Sequence, residues 1–240
     1  YNSNHIEMPE VTYHDTREIF ENGKVTNFRG DIKNLFAIQN QKTCYLYLRN
    51  RIVKKEKLSV DLIKEIHHEL VKGTYDERRF KRGERPGEFK KHDYVTGKNE
   101  VGSYPNEVEG DIRELVTEIN EIEINEDNCF MVAAYFHARF ENIHPFADGN
   151  GRVGRTLLNY LNMINNIPPV IIYDEDKKYY YECLEKYDTD DDISSLEEFF
   201  EYEMEKTWQR ELLEIKKNTS HKKLSDTMEN TVDRLKTEEK

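Results

Sequence analysis

A chain of 240 residues has a formal net charge of −12, from 36 Lys and Arg against 48 Asp and Glu. This balance argues against an extended surface for nucleic acid or anionic membrane, because either would need basic clusters acting against the overall field. The basic clusters are short, and residues 78–82 form one of them. The length excludes a disulfide-stapled mini-protein. Apolar residues make up 36% of the chain and recur at helical spacing, which predicts a globular, mostly helical protein.

The three cysteines, Cys44, Cys129 and Cys183, are widely spaced within apolar helical patterns. Their spacing and odd number predict buried free thiols in a reducing cytoplasm. No stretch approaches the roughly 20 apolar residues that a membrane-spanning helix needs, and the first residues lack the apolar centre of a signal peptide. We therefore expect a cytoplasmic protein without a membrane partner, although the chain begins at Tyr1 and an upstream piece can be missing from it.

Apolar residues at helical spacing predict the elements of the first half of the chain. The first stripe consists of Ile32, Leu35, Phe36 and Leu46. The next helix is expected to begin after Ser59, a candidate N-cap, and to end at Gly73. The Thr-Gly-Lys-Asn run at 96–99 lies between apolar residues, so 94–102 is predicted to form a short β-hairpin. The stripe from Val108 to Ile119 predicts the helix that follows.

The second half of the chain carries the broadest apolar stripe, from Cys129 to Phe140, which predicts a helix in the middle of the fold. The next helix is expected over 153–161, and another around 180–184. Ser195 is expected to cap a long helix after these. Residues 205–240 are very polar with loosely spaced apolar residues, and we interpret them as a C-terminal helical extension.

The turn between the two central helices has the composition of an anion site. Gly149 and Gly151 flank Asn150, and such a turn gathers backbone N–H groups at the start of the following helix. Arg152 and Arg155 lie three residues apart on the first turn of that helix, so both guanidinium groups can reach the same polyanion. The sequence therefore predicts a phosphate cradle.

Two side chains just before the cradle indicate a reaction. Asp148 adds a carboxylate to a site built for anions, which makes sense when a cation such as Mg²⁺ lies between them. His144 can accept a proton at neutral pH, while Phe146 is expected to anchor the loop in the core. Each feature alone is more often structural. Together they predict phosphoryl or nucleotidyl transfer to a hydroxyl group.

Other common motifs do not explain this loop. The sequence lacks a Walker A pattern and the Asp-Phe-Gly of protein kinases, and the His-His-Glu at 67–69 lacks the HExxH spacing for zinc. Residues 144–155 match every fixed position of HxFx(D/E)GNGRxxR, and the chain resembles the Fic family over about 3–204. The resemblance implies an all-α fold, a compact helical bundle with a small β-hairpin flap. It also implies transfer of AMP from ATP to a Ser, Thr or Tyr hydroxyl of a protein, with release of pyrophosphate.

By this resemblance, His144 looks like the base that deprotonates the target hydroxyl, and Asp148 looks like the Mg²⁺ ligand. The phosphates are expected to be held by Gly149, Asn150, Gly151, Arg152 and Arg155. Val101, in the predicted flap, is expected to contact nucleotide or peptide. Tyr181 is expected to stack on adenine, with a place in the core as the alternative. Asp188 stands where several relatives have Asn, a departure at that nucleotide contact.

The N-terminal residues resemble the inhibitory helix of the family, (S/T)xxxE(G/N), with Ser3 and Glu7 at its fixed positions. The resemblance implies that Glu7 pairs with Arg155 and occupies the place of a phosphate oxygen. Met8 departs from the expected Gly or Asn, so an ordinary solvent-facing helix start is the alternative. The same short pattern recurs around Glu229, which is the second candidate for the inhibitory glutamate.

We expect a Fic domain over 1–204, with an inhibitory segment at about 1–12 and a catalytic core at about 55–204. The predicted function is protein adenylyltransfer with ATP and Mg²⁺, restrained by Glu7. Expected partners are ATP and a target protein, including the chain itself, without nucleic acid or membrane, and a second copy of the chain is a further candidate. The alternatives are removal of AMP from a target, transfer of another phosphate-containing group, and a non-catalytic nucleotide-sensing module.

Overall fold

The computed structural model describes residues 1–25, 28, 30–94, 102–213 and 215, and every regular element within these ranges is helical. The helices are α1 (Asn2–His5), α2 (Tyr13–Asn22), α3 (Ile32–Val53), α4 (Val60–Val71), α5 (Glu77–Lys81), α6 (Val108–Glu121), α7 (Cys129–Ile143), α8 (Asn150–Ile164), α9 (Lys177–Asp190) and α10 (194–213). A 3-10 turn at Asp174–Asp176 precedes α9. The predicted mostly helical fold is confirmed.

Helices α7 and α8 pack against each other in the centre, with apolar clusters on either side. The larger cluster joins them to α3, α4 and α6 through residues such as Leu48, Ile66, Ile112, Phe136 and Leu157. The second cluster joins them to α9 and α10 through residues such as Ala134, Leu158, Cys183 and Phe199. Because α7 contributes to both clusters, its apolar stripe is broad, and its predicted central position is confirmed.

One of the two predicted helix caps is confirmed. The hydroxyl of Ser59 accepts a hydrogen bond from the backbone N–H of Leu62 at 3.1 Å and so caps α4. The predicted cap at Ser195 is wrong, because its hydroxyl accepts a hydrogen bond from Lys186 Nζ at 2.7 Å instead. The start of α10 is held by Asp192, whose carboxylate accepts the backbone N–H of Ser194 at 2.9 Å.

Most of the predicted apolar stripe of α3 is exposed, although Leu35 packs, partly buried, against a small apolar cluster. Ile32 is 68% exposed and Leu46 is 54% exposed, and the buried face contains Ala37, Ile38, Asn34, Asn40, Cys44 and Leu48. The two asparagines explain the difference. The amide of Asn40, for example, donates to the backbone carbonyls of Leu70 and Lys72 at 3.2 and 2.8 Å. A buried face that includes satisfied polar groups does not show as an apolar stripe.

The remaining expectations concern the cysteines, membrane-spanning helices, the hairpin and the second candidate glutamate. The three cysteines are free and buried, as predicted. Within the described ranges, no helix combines the length and apolar character needed to cross a membrane. Residues 95–101 of the predicted hairpin, with Val101 among them, and the candidate Glu229 lie outside the described residues.

Candidate active site

The motif loop is a tight connection between α7 and α8. His144 ends α7 with a φ of 49°, and Gly149 precedes α8 with a φ of 83°. A Cβ atom at Gly149 would lie 2.6 Å from Cγ1 of Val71, so both the φ angle and the space require glycine. A Cβ at Gly151 would collide with the Glu7 carboxylate. These glycines bring the first-turn N–H groups of α8 close to whatever occupies the cavity in front of them.

Asn150 fixes the shape of this loop from within. Its buried side chain accepts the backbone N–H of Phe146 at 2.9 Å and donates to the backbone carbonyl of Phe146 at 2.8 Å. The Phe146 ring is fully buried and stacks on His67, with 3.7 Å between ring centroids. Phe146 therefore anchors the loop as predicted, and the Asn150 side chain acts as a clip.

His67 supports the loop from α4, a role that the sequence analysis missed. The backbone N–H of Gly87 donates to its Nδ1 at 2.8 Å, so the ring proton is on Nε2, which lies 3.1 Å from the backbone carbonyl oxygen of Asp148. Burial lowers the pKa of His67 to about 3 and keeps the ring neutral. The only sequence signal was a histidine on an apolar helix face, which by itself does not reveal this contact.

His144 presents a neutral imidazole to the cavity. Burial, followed by the charge of Lys90, lowers the pKa of His144 to about 4, although a hydrogen bond to the backbone carbonyl of Glu141 acts in the opposite direction. At neutral pH the ring is therefore free to accept a proton.

A cavity of about 680 Å³ lies in front of the loop and reaches α9 and the N-terminal segment. Its lining includes the predicted residues Glu7, His144, Asp148, Gly149, Asn150, Gly151, Arg155, Tyr181 and Asp188. It also includes Arg79, Tyr94, Glu141 and Tyr180, which the sequence analysis did not assign to the site. The volume falls in the range of cavities that hold small ligands and cofactors.

Arg152 lies behind this lining and is almost fully buried. Its Nε is 3.6 Å from the Glu7 carboxylate, and its Nη2 is 3.9 Å from the Asp148 carboxylate. Neither Nε nor Nη1 has a hydrogen-bond partner within the described part of the chain. A buried guanidinium with unsatisfied donors beside a cavity favours an anionic ligand.

The structure brings the N-terminal segment onto Arg155, more than 140 residues away in sequence. Arg155 Nη2 lies 2.5 Å from a Glu7 carboxylate oxygen and 2.8 Å from the backbone carbonyl oxygen of Ser3. Its Nε donates to the Ser3 hydroxyl at 3.1 Å. Burial would raise the pKa of Glu7, but the charges of Arg155 and Arg152 outweigh it and hold that pKa below its usual range. Glu7 therefore sits on Arg155 as a carboxylate.

The two neighbouring tyrosines of α9 differ in environment. Tyr180 is fully buried, and its hydroxyl lies 2.7 Å from Nε2 of His137. Tyr181 is 43% exposed and lines the cavity. The core alternative therefore describes Tyr180 and not Tyr181. Asp188 also lines the cavity, and its carboxylate accepts a hydrogen bond from the Asn142 amide at 2.8 Å.

Residues 57–161 match the model of the Fic/DOC family. The matched region contains the loop described above and is similar to a Fic/DOC family domain.

Similar proteins include two curated relatives, both called Protein adenylyltransferase Fic. The protein from Drosophila persimilis is 28% identical over 184 residues, which cover 77% of this chain and 34% of the relative. The protein from Nematostella vectensis is 28% identical over 195 residues, which cover 77% of this chain and 41% of the relative. The matched region thus spans about a third to two fifths of these relatives. The structure of Fic-1 from C. elegans has the same fold, with a TM-score of 0.75 and 24% identity, covering 91% of this chain and 62% of that one.

Proposed function

We propose that this protein is a Fic-type protein adenylyltransferase, which transfers AMP from ATP to a Ser, Thr or Tyr hydroxyl of a target protein. One observation carries the proposal. A single cavity joins a neutral imidazole at His144, a carboxylate at Asp148 and the start of α8, with Arg152 and Arg155 on its first turn. The curated relatives carry the name of this activity.

In the proposed reaction, His144 takes the proton of the acceptor hydroxyl as its oxygen attacks the α-phosphorus. A bond forms between the acceptor oxygen and that phosphorus, the bond to the bridging oxygen of the β-phosphate breaks, and pyrophosphate leaves with the electron pair. His144 suits this role because its pKa of about 4 keeps the ring unprotonated at neutral pH.

The phosphates would be held by the start of α8 and by the two arginines. The partial positive charge at a helix N-terminus favours anions, and Gly149 and Gly151 allow the close approach. Arg152 and Arg155 would hold the outer phosphates. Tyr181 would stack on adenine, since its ring is partly exposed in the cavity wall. Val101 remains a proposed contact in the flap.

The donor set fits Mg²⁺ held together with a nucleotide. No cluster of three or more His, Cys, Asp or Glu side chains suited to a metal occurs among the described residues, whereas Asp148 offers one cavity-facing carboxylate, 34% exposed. Mg²⁺ is commonly held by one or two carboxylates plus phosphate oxygens and water. Bound there by Asp148, it would neutralise charge on the phosphates.

We propose further that Glu7 restrains the enzyme. Its carboxylate occupies Arg155 at 2.5 Å and lies against Gly151, where an outer phosphate oxygen would have to sit. Displacing Glu7 would let a phosphate take over the same arginine. Such a two-state equilibrium needs an energy difference of only a few kcal/mol to hold the enzyme off.

The proposed setting is the cytoplasm, which the three free buried thiols favour. The acceptor would be a target protein or the chain itself.

The function is tested with ATP labelled at the α-phosphate and, separately, at the γ-phosphate, incubated with the Glu7→Gly variant and a cell lysate as acceptor. Adenylyltransfer predicts protein labelling from the α-label alone, lost when His144→Ala is added. Labelling from the γ-label would indicate kinase activity and contradict the proposal. The absence of labelling from either nucleotide would favour AMP removal, which is checked with adenylylated protein as substrate, or a sensing module.

A further inference from the structure

Arg79 is a cavity-lining residue to which the proposed reaction gives no role. It belongs to the short basic run at 78–82, an exception in an acidic chain. Its neighbour Arg78 is exposed and does not line the cavity. The two arginines are therefore a matched pair, one inside the site and one outside it.

Asp76 holds the guanidinium of Arg79 in place. One carboxylate oxygen of Asp76 accepts the backbone N–H of Arg79 at 2.8 Å, which caps α5, and the other accepts Nη1 of Arg79 at 2.7 Å. The side chain is 30% exposed. Because backbone and side chain are tied to the same carboxylate, the orientation of the guanidinium is fixed before any ligand arrives.

The same guanidinium reaches Asp148 across the cavity wall. Nη2 of Arg79 lies 3.6 Å from Oδ2 of Asp148, while Arg152 approaches Oδ1 at 3.9 Å. Both distances exceed a hydrogen bond, so neither contact fully satisfies these donors. The Nε of Arg79 is buried and lacks a hydrogen-bond partner within the described ranges.

Arg79 differs from the two motif arginines in its relation to the inhibitory carboxylate. Arg152 and Arg155 both form ion pairs with Glu7, whereas the ion pairs of Arg79 are with Asp76 and Asp148. Glu7 therefore does not compete for Arg79, and a ligand bound at Asp148 would meet this guanidinium directly.

We propose that Arg79 is a third arginine of the nucleotide site, one that binds the β- and γ-phosphates beside Asp148 and stabilises the charge of the departing pyrophosphate. The inference rests on the proposed adenylyltransfer. If a cation binds the Asp148 carboxylate, the guanidinium loses its partner there and is free to turn to phosphate oxygens. Its fork of donors suits a polyphosphate better than an ammonium group does.

The test compares Arg79→Gln, Arg79→Lys and the control Arg78→Gln, each in the Glu7→Gly background. We expect Arg79→Gln to weaken inhibition of the transfer reaction by inorganic pyrophosphate by about tenfold to a hundredfold, the usual size for a hydrogen bond to a charged group. kcat/KM for ATP should fall by a similar factor. Arg79→Lys should give values between those of the parent and Arg79→Gln for both quantities, and Arg78→Gln should match its parent.

A second measurement separates phosphate binding from a structural role. Equilibrium binding of AMP and of pyrophosphate is measured with each variant carrying His144→Ala, which removes turnover. Arg79→Gln should weaken the binding of pyrophosphate and leave the affinity for AMP unchanged. Equal weakening of both ligands, an unchanged affinity for pyrophosphate, or the same loss in Arg78→Gln would overturn the proposal. Because this measurement needs no transfer, it still tests Arg79 if Glu7→Gly transfers no AMP and the proposed function fails.

Discussion

The motif loop and the N-terminal segment meet at Arg155, but they are held in different ways. The loop connects two central helices and is pinned by Asn150, Phe146 and His67, all buried. The N-terminal segment contains a helix of only four residues without a side-chain cap. Its fixed point is the polar contact of Ser3 and Glu7 with Arg155.

Other contacts of the N-terminal segment join it to several helices. The Asn4 amide donates to the backbone carbonyl of Ala37 at 3.4 Å, and Val11 is buried in one apolar cluster with Ile19 and Ile38. The backbone carbonyl of Ile6 accepts a hydrogen bond from Lys177, and the Ile6 side chain is buried in the second apolar cluster. His5 lies 3.5 Å from Asp174. A four-residue helix without a side-chain cap opens at a lower cost than a loop that joins two long, central helices. The comparison favours a permanent motif loop and an N-terminal segment that can detach from it, and the following predictions test that division together with the proposed roles of the two parts.

The largest effect on AMP transfer is expected from a substitution in the motif loop. His144→Ala should lower AMP transfer by about a hundredfold to ten-thousandfold, the usual contribution of a positioned general base. Nucleotide binding and the melting temperature should stay close to those of the parent, since the ring is not part of the apolar clusters. Labelled transfer, ATP binding and thermal melts check this. The control is the exposed His14→Ala, and substantial transfer by His144→Ala would argue against its role as base.

The second largest effect on AMP transfer is expected from substitution of Glu7 in the N-terminal segment. Glu7→Gly should raise AMP transfer by about tenfold to a hundredfold, as expected for loss of a regulatory coupling of a few kcal/mol. Glu7→Gln should also activate, because the amide cannot form the ion pair with Arg155. Initial rates of label incorporation measure both. Glu229→Gly serves as the comparison: activation there, with none in Glu7→Gly, would move the inhibitor to the other end of the chain.

The pH profile tests the environment of the base. Because burial and Lys90 lower the pKa of His144 to about 4 from an ordinary 6.5, the ring should stay unprotonated well below neutral pH. The acid limb of kcat/KM, which reports the free enzyme, should fall near pH 4 in Glu7→Gly. At a pH midway between these two pKa values, the unprotonated fraction of the ring differs by about twentyfold. An acid limb at the ordinary histidine value would show that the ring is solvated in the working enzyme.

The smallest effect is on stability. Asn150→Ala removes two hydrogen bonds to Phe146 and leaves buried backbone groups unsatisfied, so the free energy of unfolding should fall by about 1–3 kcal/mol. Chemical denaturation measures it. The exposed Asn22→Ala should change stability by less than about 0.5 kcal/mol. Equal stability of Asn150→Ala and its parent would show that the clip does not hold the loop.

Much of the site was predictable because it is local in sequence. The residues from His144 to Arg155 include the proposed base, the carboxylate of Asp148 and the two arginines, and the helices on either side fix their arrangement. The match at Ser3 and Glu7 led to Arg155 through the family resemblance, since nothing in the local pattern shows a contact across 148 residues.

The features that could not be predicted from the sequence depend on partners that are distant in the chain. His67 supports the loop through its contacts with Gly87 and Asp148, and Arg79 faces the cavity beside Asp148. These partners lie too far away in the chain to form a motif with His67 or Arg79. The buried face of α3 was misassigned because it contains asparagines. Asn40 donates to the backbone carbonyls of Leu70 and Lys72, and Asn34 donates to the Glu10 carboxylate. Ser195 was misassigned because Lys186 binds its hydroxyl. Helix existence follows from periodicity, while the partner of each polar group follows only from the packed structure.

The most direct test is a crystal structure of Glu7→Gly with Mg²⁺ and a non-hydrolysable ATP analogue. We predict a triphosphate over the start of α8, with Arg155 on an outer phosphate in place of Glu7 and the α-phosphate facing His144. A triphosphate bound away from His144, or an Arg155 that takes no phosphate once Glu7 is gone, would contradict the account.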